Sequence, residues 1–369
     1  EIGIPVASGT PTPRRRQEAE TVQIAVPFEA RWDRWRLEGS LAQVESELRF
    51  SDPDAVFSSS DSDAGRLRLR SVATWRGSDE LWVAFGGDWE REEVTSGSNF
   101  GPALSSESRR TSALFAQAQK AWGAVRVDLG VRRDDDEFYG SAVSPRLGLV
   151  IDLPHRAQVF ASYGEGFRAP SVGVLFFPVY GNPELEPEDS ASSEVGVRRQ
   201  GERWSVAATG FATDLDNLID TDPLTFTAVN VGRAEIRGVE LEVGYRRGIV
   251  QAQASLTLLD TEDLDSGEEL LRRPGESAAL VFTVSPEAFA KPLMATLTAR
   301  WVGERFDIDP LTFERRLNED HLVADFALTW QATPRLAPYA RIDNFADEAY
   351  EEVLGFAAPG RAVIAGLEV

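Results

Sequence analysis

Residues 123–133 read GAVRVDLGVRR. Val125, Val127, Leu129 and Val131 fall on one face of an extended chain, and Arg126, Asp128, Gly130 and Arg132 on the other. A strict period of two over about ten residues is a strand with one apolar and one polar face. The alternation recurs in both directions. Toward the N-terminus, Leu67, Leu69, Ala73 and Trp75 alternate with Arg66, Arg68, Arg70 and Arg76, and Leu81, Val83, Phe85 and Trp89 face away from Glu80, Asp88 and Glu90. Toward the C-terminus, Val239, Leu241, Val243 and Tyr245 oppose Gly238, Glu240, Glu242 and Gly244. Leu322, Ala324, Phe326, Leu328 and Trp330 form a further set, and Val363, Ala365, Leu367 and Val369 close the chain. Two segments are poorer: 34–50 changes phase near Leu41, and 110–121 is half alanine.

About seventeen such strands can be counted, and their connections fall into two alternating classes. Short ones lie near Trp32–Arg34, Arg76–Glu80, Ala121–Gly123, Leu153–His155, Gln200–Arg203, Arg246–Gly248, Ser285–Lys291 and Gln331–Arg335. Long ones span 51–63, 94–108, 136–143, 167–188, 217–232, 262–273, 305–318 and 345–358. Short turns on one rim and long loops on the other are the arrangement of an antiparallel transmembrane β-barrel of the outer membrane, with the long loops outside. A propeller would show a fixed repeat, which is lacking. A β-sandwich would not need so many strands. Mean hydropathy is only -0.25, and no uninterrupted apolar stretch approaches the ~18–20 residues of a spanning helix. A barrel escapes that limit because only every second side chain must face lipid.

Composition narrows the function. The net charge of -22 argues against nucleic acid, which needs clustered Lys and Arg. The run Arg14-Arg15-Arg16 reads as a solvated loop. With no cysteine there is no disulfide, thiolate metal site or Cys nucleophile. His155 and His321 are the only histidines and read as turn or strand residues. No Ser/His/Asp constellation or phosphate-binding glycine loop stands out, so the chain does not read as an enzyme.

Three stretches are sharper than the general pattern. The first is Tyr163-Gly164-Glu165-Gly166-Phe167-Arg168-Ala169-Pro170-Ser171, followed by Gly181-Asn182-Pro183-Glu184-Leu185-Glu186-Pro187-Glu188 and Glu194-Val195-Gly196. The second runs from Asn230 through Gly232 and Ala234 to Gly238-Val239-Glu240. The third is Asp343-Asn344-Phe345-Ala346-Asp347-Glu348-Ala349-Tyr350, with Pro359-Gly360-Arg361 opening the final strand. In order and spacing over residues 110–369, these resemble the C-terminal barrel of TonB-dependent outer-membrane receptors, especially the vitamin B12 and siderophore group. Residues 1–110 match only in general pattern. Phe345 and Ala346 replace the usual Leu and Phe of the third motif, and Val369 stands where an aromatic is usual.

The resemblance implies a single barrel domain over 1–369, part of a wall of 22 strands. The plug, the TonB box and about five strands would lie outside it. Strand parity points the same way: if the last strand ends at the periplasm, the first (about 20–32) runs inward from outside, and 1–19 complete an external loop. The implied function is TonB-dependent uptake of a scarce ligand such as a siderophore-iron chelate or cobalamin. Its partners would be outer-membrane lipid, the small chelate, and the TonB complex acting through the plug. The alternative is a passive porin of sixteen or eighteen strands.

Phe167, Arg168, Pro170, Asn182, Pro183, Pro187, Glu188, Asn230, Gly238, Glu240, Asn344, Asp347, Tyr350, Pro359, Gly360 and Arg361 carry the family pattern, with structure the preferred role over ligand contact. Arg168 and Glu188 suit a bridge across the wall, and Gly238 suits a position where neighbouring bulk must pack. Ligand contacts are sought instead in the loop aromatics Phe176, Phe177, Tyr180, Phe226 and Phe356. No cofactor is expected beyond Ca²⁺ in the external loops, for which Asp134, Asp135, Asp136, Asp260, Asp263 and Asp265 are candidates beside the plainer reading of solvated charge.

Overall fold

The structure is a computed structural model that describes residues 14–56, 58–177, 181–221, 227–288 and 291–368. Thirteen consecutive strands build most of it. They are β1 (Arg16–Trp32), β2 (Trp35–Ser51), β3 (Ser59–Ser78), β4 (Leu81–Ser98), β5 (Gly101–Trp122), β6 (Val125–Asp136) and β7 (Gly140–Leu153). After these come β8 (Ala157–Arg168), β9 (Glu188–Gln200), β10 (Trp204–Thr221), β11 (Ala228–Arg247), β12 (Val250–Asp263) and β13 (Glu276–Val284). Four more, Lys291–Val302, His321–Trp330, Ala337–Asp343 and Ala362–Glu368, complete the seventeen long strands among the described residues. All join one antiparallel sheet in chain order, with the two-residue strand Glu287–Ala288 added at a turn. Among the described residues β1 pairs only with β2, and Ala362–Glu368 only with Ala337–Asp343.

The burial pattern inverts that of a water-soluble sheet. Large apolar side chains on the outward phase are open, among them Ile24 at 64% and Leu114 at 74%. Charged groups on the other phase are enclosed, including Asp88, Arg109, Asp134 and Asp136. Apolar surface of that extent, left uncovered along every strand, needs a lipid solvent. No helix of the described residues is long and apolar enough to cross a membrane.

Several strands outrun the reading from sequence. β5 has 22 residues and β3 and β11 have 20 each, where about 9–11 tilted residues cross a bilayer. The excess stands beyond the membrane and replaces expected loop. The segment 94–108 is therefore not a long loop: β4 and β5 meet at Asn99-Phe100. Asn99 uses its side chain to cap the neighbouring connection, accepting from Ser58 N at 3.1 Å and donating to Val56 O at 2.9 Å. The 136–143 loop likewise shrinks to 137–139. Arg16 already begins β1, so 16–19 are strand, and Arg15 pairs with Asp52 at 2.9 Å instead of standing free in solvent. The phase change near Leu41 lies in the side chains alone, because β2 keeps continuous register with both neighbours.

Candidate functional site

The polar face of β3 to β6 carries a ladder of opposite charges. Arg68 and Arg70 on β3 lie 3.4 and 3.9 Å from Asp88 on β4. Arg132 on β6 reaches Asp88 and Asp134, each at 2.7 Å. Phe115 sits among them, with the guanidinium groups of Arg70 and Arg132 over its ring at 5.6 and 5.9 Å. The ladder follows from the period of two: same-phase residues on adjacent strands stand directly opposed, as Arg70 and Asp88 do.

Above the ladder the strand ends meet the outer loops. Arg109 donates to Asp136 at 2.7 Å and to the Pro170 carbonyl at 2.8 Å, tying β5 and β6 to the chain after β8. Its guanidinium lies 5.4 Å over Tyr139, which packs on Phe167 at 5.5 Å. Burial and the Asp136 carboxylate push the Tyr139 phenol up to about 12, against the pull of Arg109. Between ladder and loop lies a cavity of 310 Å³, lined by Arg66, Glu92, Arg109, Arg132, Tyr139 and Phe167 among others. It offers paired charges, a neutral phenol donor and one ring edge.

The family-pattern residues of the second outer region are fasteners. Arg168 and Glu188 are opposed across β8 and β9 and paired, and Glu188 also accepts from Ile219 N at 2.8 Å. Asn182 donates to Ala228 O at 3.0 Å and accepts from Glu184 N at 2.9 Å. Asn230 accepts from Glu186 N and donates to the Glu186 and Asn217 carbonyls. Pro183 and Pro187 sit in this loop, where a fixed φ and a missing donor suit an extended connection. Beneath it Leu175, Leu185 and Ala228 are buried with Val174, Phe176 and Ile219 packed around them. Phe176 also meets Phe138 at 4.9 Å, so this loop aromatic is taken up in packing. Phe177 is described, and Tyr180 and Phe226 lie outside the described residues.

Gly238 faces inward on β11, directly opposite Phe211 on β10. A Cβ there would meet the Phe211 ring at 2.5 Å and Leu258 O at 2.7 Å. The Phe211 ring therefore packs on the Gly238 backbone. Glu240, on the same phase, opposes Thr209 and Thr257 and is exposed.

A third region knits three loops. Asp307 is fully buried, bonded by Arg272 at 2.7 Å and by the amides of Ile308 at 2.7 Å and Leu354 at 3.0 Å. Burial alone would raise its pKa; the amides and the Arg272 guanidinium outweigh it and hold the carboxyl below its ordinary value. Arg305 donates to the Glu351 and Glu352 carbonyls at 2.7 and 3.0 Å, and Asn318 to Glu351 O at 3.1 Å. His321 is buried and stacks on Tyr350 at 4.6 Å. Asn344 donates to the Glu348 and Pro359 carbonyls and accepts from Glu348 N. Asp347 accepts from Arg361 N at 2.8 Å and would crowd any Cβ at Gly360. Phe356 belongs to a small hairpin of this region, pairing with Val353.

The expected calcium ligands do not converge. Asp134 and Asp136 point inward to Arg132 and Arg109, whereas Asp135, one residue between them, points outward to Arg133 at 2.9 Å. Three consecutive strand residues cannot share one ion. Asp260 opposes Arg237, and Asp263 accepts the amides of Asp265 and Ser266. Among the described residues no three His, Cys, Asp or Glu side chains stand close enough to hold a metal. Arg109, Tyr139, Arg305 and Asp307 were absent from the sequence candidates. Only the ladder had a legible signal, in Arg66, Arg68 and Arg70 facing Asp88, Glu90 and Glu92 on the next strand.

An all-antiparallel wall with outward apolar faces, an inward charge ladder and fastened outer loops agrees with one family model, described as "TonB dependent receptor-like, beta-barrel", which matches residues 7–345. The chain belongs to the TonB-dependent receptor β-barrel family. It is 28% identical over 275 residues to the vitamin B12 transporter BtuB of Vibrio vulnificus, covering 73% of this chain and 43% of that protein. To BtuB of Vibrio cholerae serotype O1 it is 27% identical over 357 residues, covering 94% and 56%. The chain thus spans about half the length of the curated relatives it matches. The siderophore receptor PirA of Acinetobacter baumannii shares the fold, with a TM-score of 0.81, 15% identity, and coverage of 97% of this chain and 63% of that one. As a TonB-dependent receptor barrel, the chain is an outer-membrane protein of a bacterium.

Proposed function

We propose that this chain is wall and outer-loop region of a receptor that takes up a scarce ligand across the outer membrane, of the siderophore-iron or cobalamin kind, with energy supplied through the TonB complex. One observation carries the reading: the family match runs from before β1 to residue 345, and the motif residues singled out in the sequence fasten the outer loops. A rim held by side-chain-to-backbone bonds keeps a fixed mouth, which suits recognition of a bulky ligand better than sieving of small solutes. A passive porin would place a narrow charged eyelet at mid-height; here the cavity above the ladder is lined in part by the outer strand ends and loops, through Tyr139, Phe167 and Ala169. Coupling to TonB would run through protein outside these residues. The test is uptake of labelled cobalamin and of ferric siderophores by cells whose only such receptor is this one. The reading expects saturable uptake that vanishes when TonB is removed. Uptake that persists without TonB, with open single-channel conductance, would select the porin.

A further inference from the structure

Arginines are divided unequally between the two rims. Toward the outer loops most have a carboxylate partner, as with Arg109, Arg132, Arg168, Arg272 and Arg300, and at the short-turn rim Arg31 and Arg36 share Glu29. At the short-turn rim, Arg156, Arg198, Arg199, Arg203, Arg246 and Arg247 have no carboxylate within ion-pair reach among the described residues. This concentration of unmatched positive charge sits in a chain of net charge -22.

Strand phase sorts these arginines. Arg198 and Arg246 face inward, where they bond Gln158 at 2.6 Å and Gln251 at 3.1 Å. Arg199 shares the outward phase of Val195 and Val197, and Arg247 that of Val243 and Tyr245. All four apolar or aromatic neighbours are exposed. Trp204 and Tyr245 are directly opposed on the same outward face, and the Arg199 guanidinium lies 5.3 Å over the Trp204 ring. Gly201 makes room for that ring, since a Cβ there would meet it at 2.5 Å. By register Arg199 stands level with Val243, about 16 Å from Arg247 at ordinary strand spacings. Its side chain spans part of that by reaching over Trp204, which lies one strand across and two residues along from Arg247, about 8 Å, so the two guanidinium groups can converge on one anion.

Aromatic residues mark where a barrel wall meets the headgroup layer. An unpaired guanidinium held against such a ring, at the edge of hydrocarbon, needs a counter-charge there. The short-turn rim faces the periplasm, and its adjoining leaflet is glycerophospholipid, which supplies phosphate. We infer that Arg199 and Arg247, with Trp204 and Tyr245 as platform, form a binding site for the phosphate of an anionic glycerophospholipid of the periplasmic leaflet. Guanidinium groups match phosphate in geometry as well as charge. Arg203, in the turn beside them, adds to the field.

The test is native mass spectrometry of the intact protein released from nanodiscs of phosphatidylcholine with a fraction of phosphatidylglycerol. Insertion is checked first by heat-modifiable gel mobility; failure to insert would count against the outer-membrane reading itself, before any lipid is scored. The site predicts retained phosphatidylglycerol in preference to phosphatidylcholine. Arg199→Gln with Arg247→Gln should lower that retention about thirtyfold, the product of two arginine contributions at an anionic surface. The pair Arg199→Lys and Arg247→Lys, which keeps the charge, should lose only a few-fold. Arg198→Gln with Arg246→Gln removes the same charge from the inner face and should leave retention unchanged. Equal losses from the inward and outward pairs would overturn the site, as would equal retention of the two lipids by the unaltered protein. Displacement of phosphatidylglycerol by millimolar glycerol phosphate would reduce it to a site for any small phosphate, and so overturn the lipid assignment.

Discussion

The ladder on β3 to β6 and the latch around Asp307 both enclose charge, by opposite means. In the ladder, carboxylates and guanidinium groups come from strands in fixed register, Asp88, Arg68 and Arg132 each have more than one partner, and water reaches the arginines. Arg68 and Arg70 share Asp88, and Arg132 divides itself between Asp88 and Asp134. In the latch, one carboxylate is sealed completely and two of its three partners are backbone amides of different segments. Redundant pairs on a rigid sheet tolerate loss. A sealed group that satisfies the backbone does not, because its removal strands donors without water.

The contrast presupposes that the outward face meets lipid, and the largest effects test that premise. Leu241→Arg should destabilise the folded barrel by ~2–4 kcal/mol near the bilayer midplane, Val127→Arg, two residues from its strand end, by about 1 kcal/mol, and Glu240→Arg and Asp128→Arg least. Urea titration in lipid measures both; equal costs on the two faces would break the comparison at its root. Next in size is Asp307→Ala, expected to cost about 3 kcal/mol through the stranded amides of Ile308 and Leu354. Protease cleavage should then appear in 303–320 and 344–361 while the ladder strands stay protected.

Acid sharpens the same point. The Asp307 carboxyl is held below its ordinary value, so its contribution is full above the unfolded pKa, about 4. It is lost as pH falls through the lower folded value. Stability measured from neutral pH downward should show a loss that is absent in Asp307→Asn, which is already neutral. In the ladder, Arg68→Ala should cost only about 1–2 kcal/mol, since Asp88 keeps Arg70 and Arg132. Smallest is Arg168→Ala at about 0.5 kcal/mol, because the arginine is largely exposed. A ladder loss larger than that of Asp307 would reverse the argument.

The two regions were unequally legible in the sequence. The wall was readable because lipid on one side and water on the other impose a period of two, and seventeen strands were countable from it. That constraint lapses where strands rise above the bilayer. The outer half of β2 changes phase, and the ends of β4 and β5 pass for loop, although pairing continues to Ser98 and Gly101. The latch left no pattern, since Arg272, Asp307 and Leu354 come from three loops and only the folded chain brings them together. Asn182, Asn230 and Asn344 stood out as motif residues, and their roles emerge as bonds to backbone.

The glycines beneath the inward rings have a consequence for space. Phe115 lies over Gly86, Phe160 over Gly196 and Phe211 over Gly238, each pair directly opposed on neighbouring strands. A ring laid flat on the adjacent backbone projects by its thickness instead of its length. The wall keeps its aromatic packing yet stays smooth, and the bore is widened by what the rings do not occupy. The space inside the wall is set, in part, by residues that have no side chain at all.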